Sequence, residues 1–195
     1  MLMRWFGSGR QSSLAITDAL YSEIVAAARQ PLFYSHWNVP DTPIGRFEML
    51  SLHMFLFLHR LREESGAARG AAQELTDGFF RDVEHSLREL GVSDQGVPRR
   101  MNKLARMFYG RAMAYGAALD QRDDAAFREA LARNVLPERA NGEGAAELAV
   151  YMFRAWDDLT EQPVSAILSG RLHFPEPRIS EPPLPSSNFD EARTS

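Results

Sequence analysis

Apolar positions recur at helical spacing through most of the chain. Ile16, Leu20 and Ile24 follow one another at intervals of four, which predicts an amphipathic helix that ends before Pro31. Comparable stripes predict further helices over about 71–90, 98–119, 123–135 and 144–159, with a short one near 164–168. No alternating stretch is long enough to predict a strand. The pattern therefore indicates an all-α fold of about six helices.

One predicted helix differs from the others because it is apolar on almost every side. It runs from Pro43 to about Glu64 and carries phenylalanine, leucine and methionine on most of its faces. Thr42 precedes it, and the threonine hydroxyl can accept from a free backbone N–H while Pro43 occupies a position that needs no N–H. A helix that is apolar all round belongs in the interior. We therefore expect a single-domain bundle arranged around this central helix.

The two ends of the chain differ in composition from the middle. Five prolines between Pro175 and Pro185 oppose regular structure, and we predict a disordered, flexible tail over residues 173–195. Residues 1–13 lack the apolar stretch of a secretory signal and are too short for a convincing transit peptide, so we treat them as a short leader. The helical domain is then expected over residues 14–172.

Composition limits the classes of function that the chain can serve. Its 195 residues, 45% of them hydrophobic, suit one domain with its own core. A net charge of −4 argues against a generally basic nucleic-acid binder, and the lack of cysteine excludes disulfides and thiol chemistry. The most apolar run, residues 49–58, falls short of the roughly 20 residues that span a bilayer. We therefore expect a soluble protein whose membrane contact, if any, is peripheral.

The predicted helix over 98–119 concentrates positive charge in an acidic protein. It contains no acidic residue, and apolar residues form a stripe on its opposite side. Two interpretations stay open: the cations dock on an anionic lipid surface, ribosomal RNA or an acidic partner, or they pair with acids of neighbouring helices. The basic residues of this helix are Arg99, Arg100, Lys103, Arg106 and Arg111.

Evidence for catalysis in the sequence is limited to one acidic motif. Asp157, Asp158 and Glu161 have the form of an aspartate-rich motif that binds magnesium diphosphate in helical enzymes. The Glu-x-x-His motif of helical di-metal sites does not occur, and nothing offers a nucleophile to His53. We predict a protein that is not an enzyme and that has no metal site and no cofactor. A magnesium-dependent diphosphate-binding enzyme and a peripheral anionic-lipid-binding protein are the alternatives.

Several short segments occur together in a recognisable order. They include Val39-Pro40-Asp41-Thr42, Gly45-Arg46-Phe47-Glu48-Met49-Leu50, Leu87-Arg88-Glu89, and Phe108-Tyr109-Gly110-Arg111. In this order and spacing the chain resembles the ubiquinol–cytochrome c chaperone family over about residues 20–134, and more loosely to about residue 170.

The resemblance implies an all-α chaperone that helps to build respiratory complex III. The mitochondrial members bind newly synthesised cytochrome b and act with a small partner protein near the ribosomal exit tunnel. The short leader resembles that of alphaproteobacterial members, which implies a bacterial cytoplasmic protein acting peripherally at the inner membrane. Cytochrome b is therefore the expected partner, a small assembly protein or the ribosome a further one, and no specific nucleic-acid site is expected.

The expected partner-binding residues fall into three groups. Arg46 and Glu48 are charges at the start of a very apolar helix, where burial requires a partner. We expect Arg46 and Glu48 to share a polar network with Asp82, Arg88, Glu89, Asp94 and Arg111. An aromatic segment that crosses between helices, Phe33, Tyr34 and Trp37, is expected to line a groove with Met49 and Met54, although each of these also suits a core. The third group is the basic helix, with Tyr109.

Overall fold

The computed structural model describes residues 5–137 and 144–179, with side chains described from residue 14 onward. Within these ranges the chain forms eight helices and no strand, and six of the helices have eleven residues or more. This confirms an all-α bundle of about six helices. The helices are α1 (Trp5–Ala28), α2 (Pro31–Ser35), α3 (Pro43–Leu61), α4 (Ala67–Glu89), α5 (Val97–Asp120), α6 (Asp124–Asn134), α7 (Ala145–Glu161) and α8 (Val164–Ile167).

Helix α3 is the centre of the bundle, as its apolar character predicts. It packs against α1, α4, α5 and α7, and most of its residues are buried. Met49, Met54 and Phe57 are fully enclosed at three different positions around its axis. Because neighbours surround α3, few polar side chains can be accommodated on it unless they are paired.

Local sequence signals set the ends of several helices. At the start of α3 the Gly45 N–H donates to the Thr42 hydroxyl at 3.1 Å, as predicted. At the end of α4 Gly91 adopts a left-handed conformation with φ of 79°. The Val92 N–H then donates to the Leu87 carbonyl at 3.1 Å, and this pattern of bonds closes the helix. These caps determine where α3 begins and where α4 ends.

The chain beyond α8 has no regular secondary structure up to residue 179, yet it packs on the domain. Phe174 is buried, with its ring centroid 5.2 Å from that of His53. The His173 N–H donates to the side chain of Gln162 at 2.9 Å. The first part of the predicted flexible tail is therefore attached to the bundle, because Phe174 supplies an apolar anchor among the prolines. The rest of the predicted tail, residues 180–195, lies outside the described residues.

The predicted leader overlaps the first helix, because α1 already begins at Trp5. Residues 1–4 lie outside the described part of the chain. Within the described ranges, no helix has the length and apolar character that crossing a bilayer requires.

Candidate functional site

An open groove lies where α1, α3, α4 and α5 meet, and we call it the apolar groove. Its volume is about 600 Å³. An α-helix about 10–12 Å across rises about 5.4 Å per turn, so this volume corresponds to roughly one helical turn. The groove is therefore large enough to receive a cluster of side chains from a partner rather than a whole helix.

The floor of the apolar groove is formed by side chains of the bundle core. Phe47, Val83, Leu87 and Leu104 line it and are mostly buried, whereas Leu50 is half-buried. Two large apolar side chains at its edge remain in solvent: Ile44 is 55% exposed and Leu90 is 58% exposed. Exposed apolar side chains beside a concave apolar surface are typical of a site that a partner covers.

The edge of the apolar groove also carries charges of both signs. The structure brings four predicted site residues together in this groove: Arg46, Asp82, Glu89 and Arg100. Arg29 completes the edge. Three cations and two carboxylates around an apolar floor can hold an apolar segment and also bind polar groups at its end.

The start of α3 is placed by a close backbone contact that the sequence analysis did not identify. A Cβ atom on Gly45 would lie 1.9 Å from the Pro40 carbonyl oxygen, so only glycine permits this approach. The contact folds the preceding loop against α3, and Asp41 then reaches Arg46 at 2.6 Å. A glycine inside the first turn of an otherwise strongly helical segment is the signal that points to this contact.

Glu48 does not share a network with Arg46. Glu48 is only 2% exposed, and its carboxylate forms an ion pair with Arg111 of α5. Burial raises the pKa of Glu48, and the adjacent Arg111 guanidinium acts in the opposite direction. The prediction of one polar network is wrong on this point: two residues of spacing along α3 turn Glu48 inward and leave Arg46 in solvent.

The remaining members of the predicted network form separate local contacts. Arg88 pairs with Glu84 at 2.9 Å and with Asp94, near the end of α4. The His85 ring lies 3.2 Å from the Glu89 carboxylate. Asp82 instead accepts a hydrogen bond of 2.9 Å from the Tyr21 hydroxyl of α1. Each of these contacts is separate from the others, so the residues do not form one network.

The aromatic segment predicted to line a groove belongs to the core. Phe33 is fully buried and Trp37 is 4% exposed, with their ring centroids 5.4 Å apart. Tyr34 is half-buried and its hydroxyl donates to the Ala28 carbonyl at 2.9 Å. Helix α2 turns this segment inward, and Met49 and Met54 are fully buried as well. These residues therefore fill the interior and do not form a surface for a partner.

The cations of α5 divide between the two interpretations that the sequence left open. Arg111 pairs with Glu48 in the interior. Arg99, Arg100, Lys103 and Arg106 are exposed and form no ion pair with any described residue. Tyr109 follows on the same helix and is 52% exposed. Most of the positive charge on α5 is thus available to a partner.

The acidic motif of α7 contributes to packing between helices. The Asp157 carboxylate accepts two hydrogen bonds from Arg122, one of them at 3.1 Å. The same guanidinium lies 5.8 Å from the centre of the Phe153 ring. Within residues 14–137 and 144–179, no three His, Asp or Glu side chains are grouped so that they hold a metal ion. The structure therefore adds no support to the magnesium alternative.

A family model, a relative and a solved structure each match more than half of this chain. The family model described as Ubiquinol-cytochrome C chaperone matches residues 35–174. The ubiquinol-cytochrome-c reductase complex assembly factor 1 of Xenopus laevis is 25% identical over 122 residues, which are 63% of this chain and 60% of that relative. This chain therefore matches less than two thirds of that relative's length. The crystal structure of the Cbp3 homolog from Brucella abortus is 49% identical, with a TM-score of 0.84, and the match covers 90% of this chain and 97% of that one.

Proposed function

Because this chain belongs to the ubiquinol–cytochrome C chaperone family, we propose that it is an assembly chaperone of respiratory complex III whose client is unassembled cytochrome b. The family match and the similarity to a complex III assembly factor support the pathway. The apolar groove is the observation that supports a binding role. A role of this kind requires recognition and release, and it requires no catalytic group.

The chemistry of the apolar groove suits a membrane-protein client before assembly. Such a client has apolar helices whose packing partners are not yet in place, and the floor of the groove offers Leu50 and Leu104 to their side chains. Ile44 and Leu90 extend the apolar contact beyond the floor. A volume of about one helical turn limits the contact, which favours an interaction that can be reversed when complex III forms.

The cations at the edge of the apolar groove can orient a helix that is bound in it. The last turn of an α-helix carries free carbonyl groups and a partial negative charge. Arg29, Arg46 and Arg100 all line the groove, so a helix end bound there can meet a cation. Among the described residues, these three cations form one ion pair, that between Arg46 and Asp41. Both of its side chains are exposed, so the pair is easily exchanged for a client group.

The setting that we propose is the cytoplasmic side of a bacterial inner membrane, with peripheral contact. A small assembly protein or the ribosome is a further proposed partner.

A cross-linking experiment with matched variants tests the client and the groove together. Tagged protein is recovered from its own membranes after light cross-linking, and its partners are identified by mass spectrometry. We expect unassembled cytochrome b with the wild type and much less with Ile44→Glu, because a carboxylate at the edge opposes apolar contact. Val150→Glu is the matched control, since Val150 is 53% exposed, Ile44 is 55% exposed, and Val150 does not line the apolar groove.

The outcomes separate the two parts of the proposal. Recovery of cytochrome b by both variants at the wild-type level would contradict the groove as the binding site. Absence of cytochrome b with the wild type, while complex III is being made, would contradict the client itself.

A further inference from the structure

The outward face of α5 combines unpaired cations with exposed apolar side chains on one line. Arg99, Lys103 and Arg106 are three or four residues apart and therefore lie on one side of the helix. Tyr109 and Met113 continue the same side over the next two turns. We call these five residues the basic stripe. At 1.5 Å per residue the stripe is about 21 Å long.

The exposure of the basic stripe is not explained by packing within the bundle. Met113 is 79% exposed and Tyr109 is 52% exposed, although apolar residues on the opposite side of α5, such as Leu104 and Phe108, are buried. None of the three cations has an ion pair with a described residue, and Arg106 donates only to the Asn102 carbonyl of its own helix, at 3.2 Å. No acidic residue occurs on α5 before Asp120.

From this arrangement we propose that the basic stripe binds the surface of an anionic lipid bilayer. The three cations meet lipid phosphates, and Tyr109 and Met113 enter the boundary between headgroups and acyl chains. Concentrated positive charge on a chain of net charge −4 is complementary to an anionic surface. The apolar residues distinguish lipid from RNA, because a bilayer offers an apolar phase to a methionine side chain and a phosphate backbone does not.

Bilayer contact through the basic stripe would also position the apolar groove next to the bilayer. Arg100 lies one residue beyond Arg99, about 100° further around α5, and lines the groove together with Leu104. The two surfaces are therefore adjacent faces of one helix. A protein docked through the stripe holds the mouth of the groove beside the bilayer. The lipid contact itself does not depend on the identity of the client.

Vesicle co-sedimentation of the full chain tests this proposal. The probes are vesicles of phosphatidylcholine alone and vesicles with equal parts of phosphatidylglycerol and phosphatidylcholine. We expect binding to the anionic vesicles only, weakening as salt is added because the charges are screened. Each cation near an anionic surface contributes roughly fivefold to the partition coefficient, so Arg99→Gln/Lys103→Gln/Arg106→Gln is expected to reduce binding roughly a hundredfold.

Two further variants separate the basic stripe from general charge and from other polyanions. Arg128→Gln/Arg133→Gln/Arg171→Gln removes the same charge from exposed positions elsewhere and is expected to retain most of the binding. Met113→Ser is expected to weaken vesicle binding several-fold, and a single-stranded RNA titrated in parallel should not respond to it. Circular dichroism of each variant is the control that tests whether it remains helical.

Three results would overturn the proposal. The first is no binding of the wild type to anionic vesicles. The second is equal loss in the two triple variants, which would indicate net charge rather than a defined face. The third is tight RNA binding that the stripe variant abolishes while vesicle binding is unchanged, which would assign this face to RNA.

Discussion

The interior of the bundle and the apolar groove both contain polar side chains from α3, but the two regions provide them with different kinds of partner. In the interior, Glu48 pairs with Arg111, and His53 hydrogen-bonds to Tyr151 at 2.8 Å. Both partners come from helices far along the chain. At the edge of the groove Arg46 pairs with Asp41, only five residues away and in solvent.

This difference separates polar contacts that hold helices together from contacts that a partner can replace. When a buried pair loses one member, the remaining charged or hydrogen-bonding group has neither its partner nor water to bind. This lowers the stability of the fold considerably. An exposed pair that loses one member leaves its partner in water at little cost. The interior contacts therefore stabilise the fold. At the edge of the groove, a client can replace one member of an ion pair.

The largest effect is expected from removing the buried carboxylate of α3. Glu48→Ala leaves the Arg111 guanidinium without its partner and should lower the free energy of unfolding by roughly 3 kcal/mol. This is the lower end of the range for buried pairs, because 19% of the Arg111 side chain remains exposed. Urea denaturation followed by circular dichroism measures the loss.

A double variant sharpens that result. Burial raises the pKa of Glu48 despite the nearby Arg111, so the ion pair offsets only part of the cost of desolvation. Glu48→Leu/Arg111→Met should therefore recover most of the stability lost in Glu48→Ala. A double variant that is no more stable than Glu48→Ala would contradict this account of the pair.

A second effect of intermediate size concerns pH and His53. The His53 ring is fully buried: its Nδ1–H donates to the Met49 carbonyl at 2.8 Å, and Nε2 accepts from the Tyr151 hydroxyl. Burial lowers the pKa of His53 from 6.5 to about 4. Between these two values the unfolded chain binds a proton that the folded chain does not, so stability is lost as the pH falls from 6.5 toward 4.

The expected loss is about 2 kcal/mol between pH 7 and pH 5, since each pKa unit corresponds to about 1.4 kcal/mol. Urea denaturation at the two pH values, in the wild type and in His53→Gln, measures it by difference. The comparison is needed because the raised pKa of Glu48 acts with the opposite sign in acid, favouring the folded state as the pH falls. Identical pH dependence in both proteins would contradict the prediction for His53.

The features that the sequence predicted correctly are local ones. Helical spacing identified the six long helices, the cap of Thr42 set the start of α3, and Gly91 marked the end of α4. Each depends on residues within a few positions of one another, where backbone geometry determines contact. The central position of α3 was predicted from its apolar surface, because a helix that is apolar all round is unfavourable with any of its sides exposed to water.

Contacts between distant parts of the chain were predicted less well. The expected contact of Glu48 with Arg111, 63 residues later, is present. The residues of α4 that were expected in the same network, Asp82, Arg88 and Glu89, have other partners. In sequence the aromatic residues Phe33 and Trp37 are compatible with a groove and, taken one by one, suit a core better, and the structure buries both of them. Which faces of two helices meet depends on the packing of the whole bundle.

The smallest effect on stability is expected at the edge of the apolar groove, where Arg46→Ala removes a charge only two residues from Glu48. The Arg46 and Asp41 side chains are 62% and 58% exposed, so the melting temperature should not change measurably. The yield of assembled complex III in cells carrying only this variant should nevertheless fall, because Arg46 lines the groove that we propose for the client. Arg128→Ala, which removes an ion pair of similar exposure on α6, is the matched control and should leave the yield unchanged.

A loss of helical signal in Arg46→Ala would instead assign Arg46 to the fold. Normal assembly with normal stability would remove Arg46 from the binding site and leave Ile44 and Leu90 as the residues to test. The contrast between Glu48 and Arg46 thus becomes a measurement, because one substitution should lower stability and the other should lower only assembly.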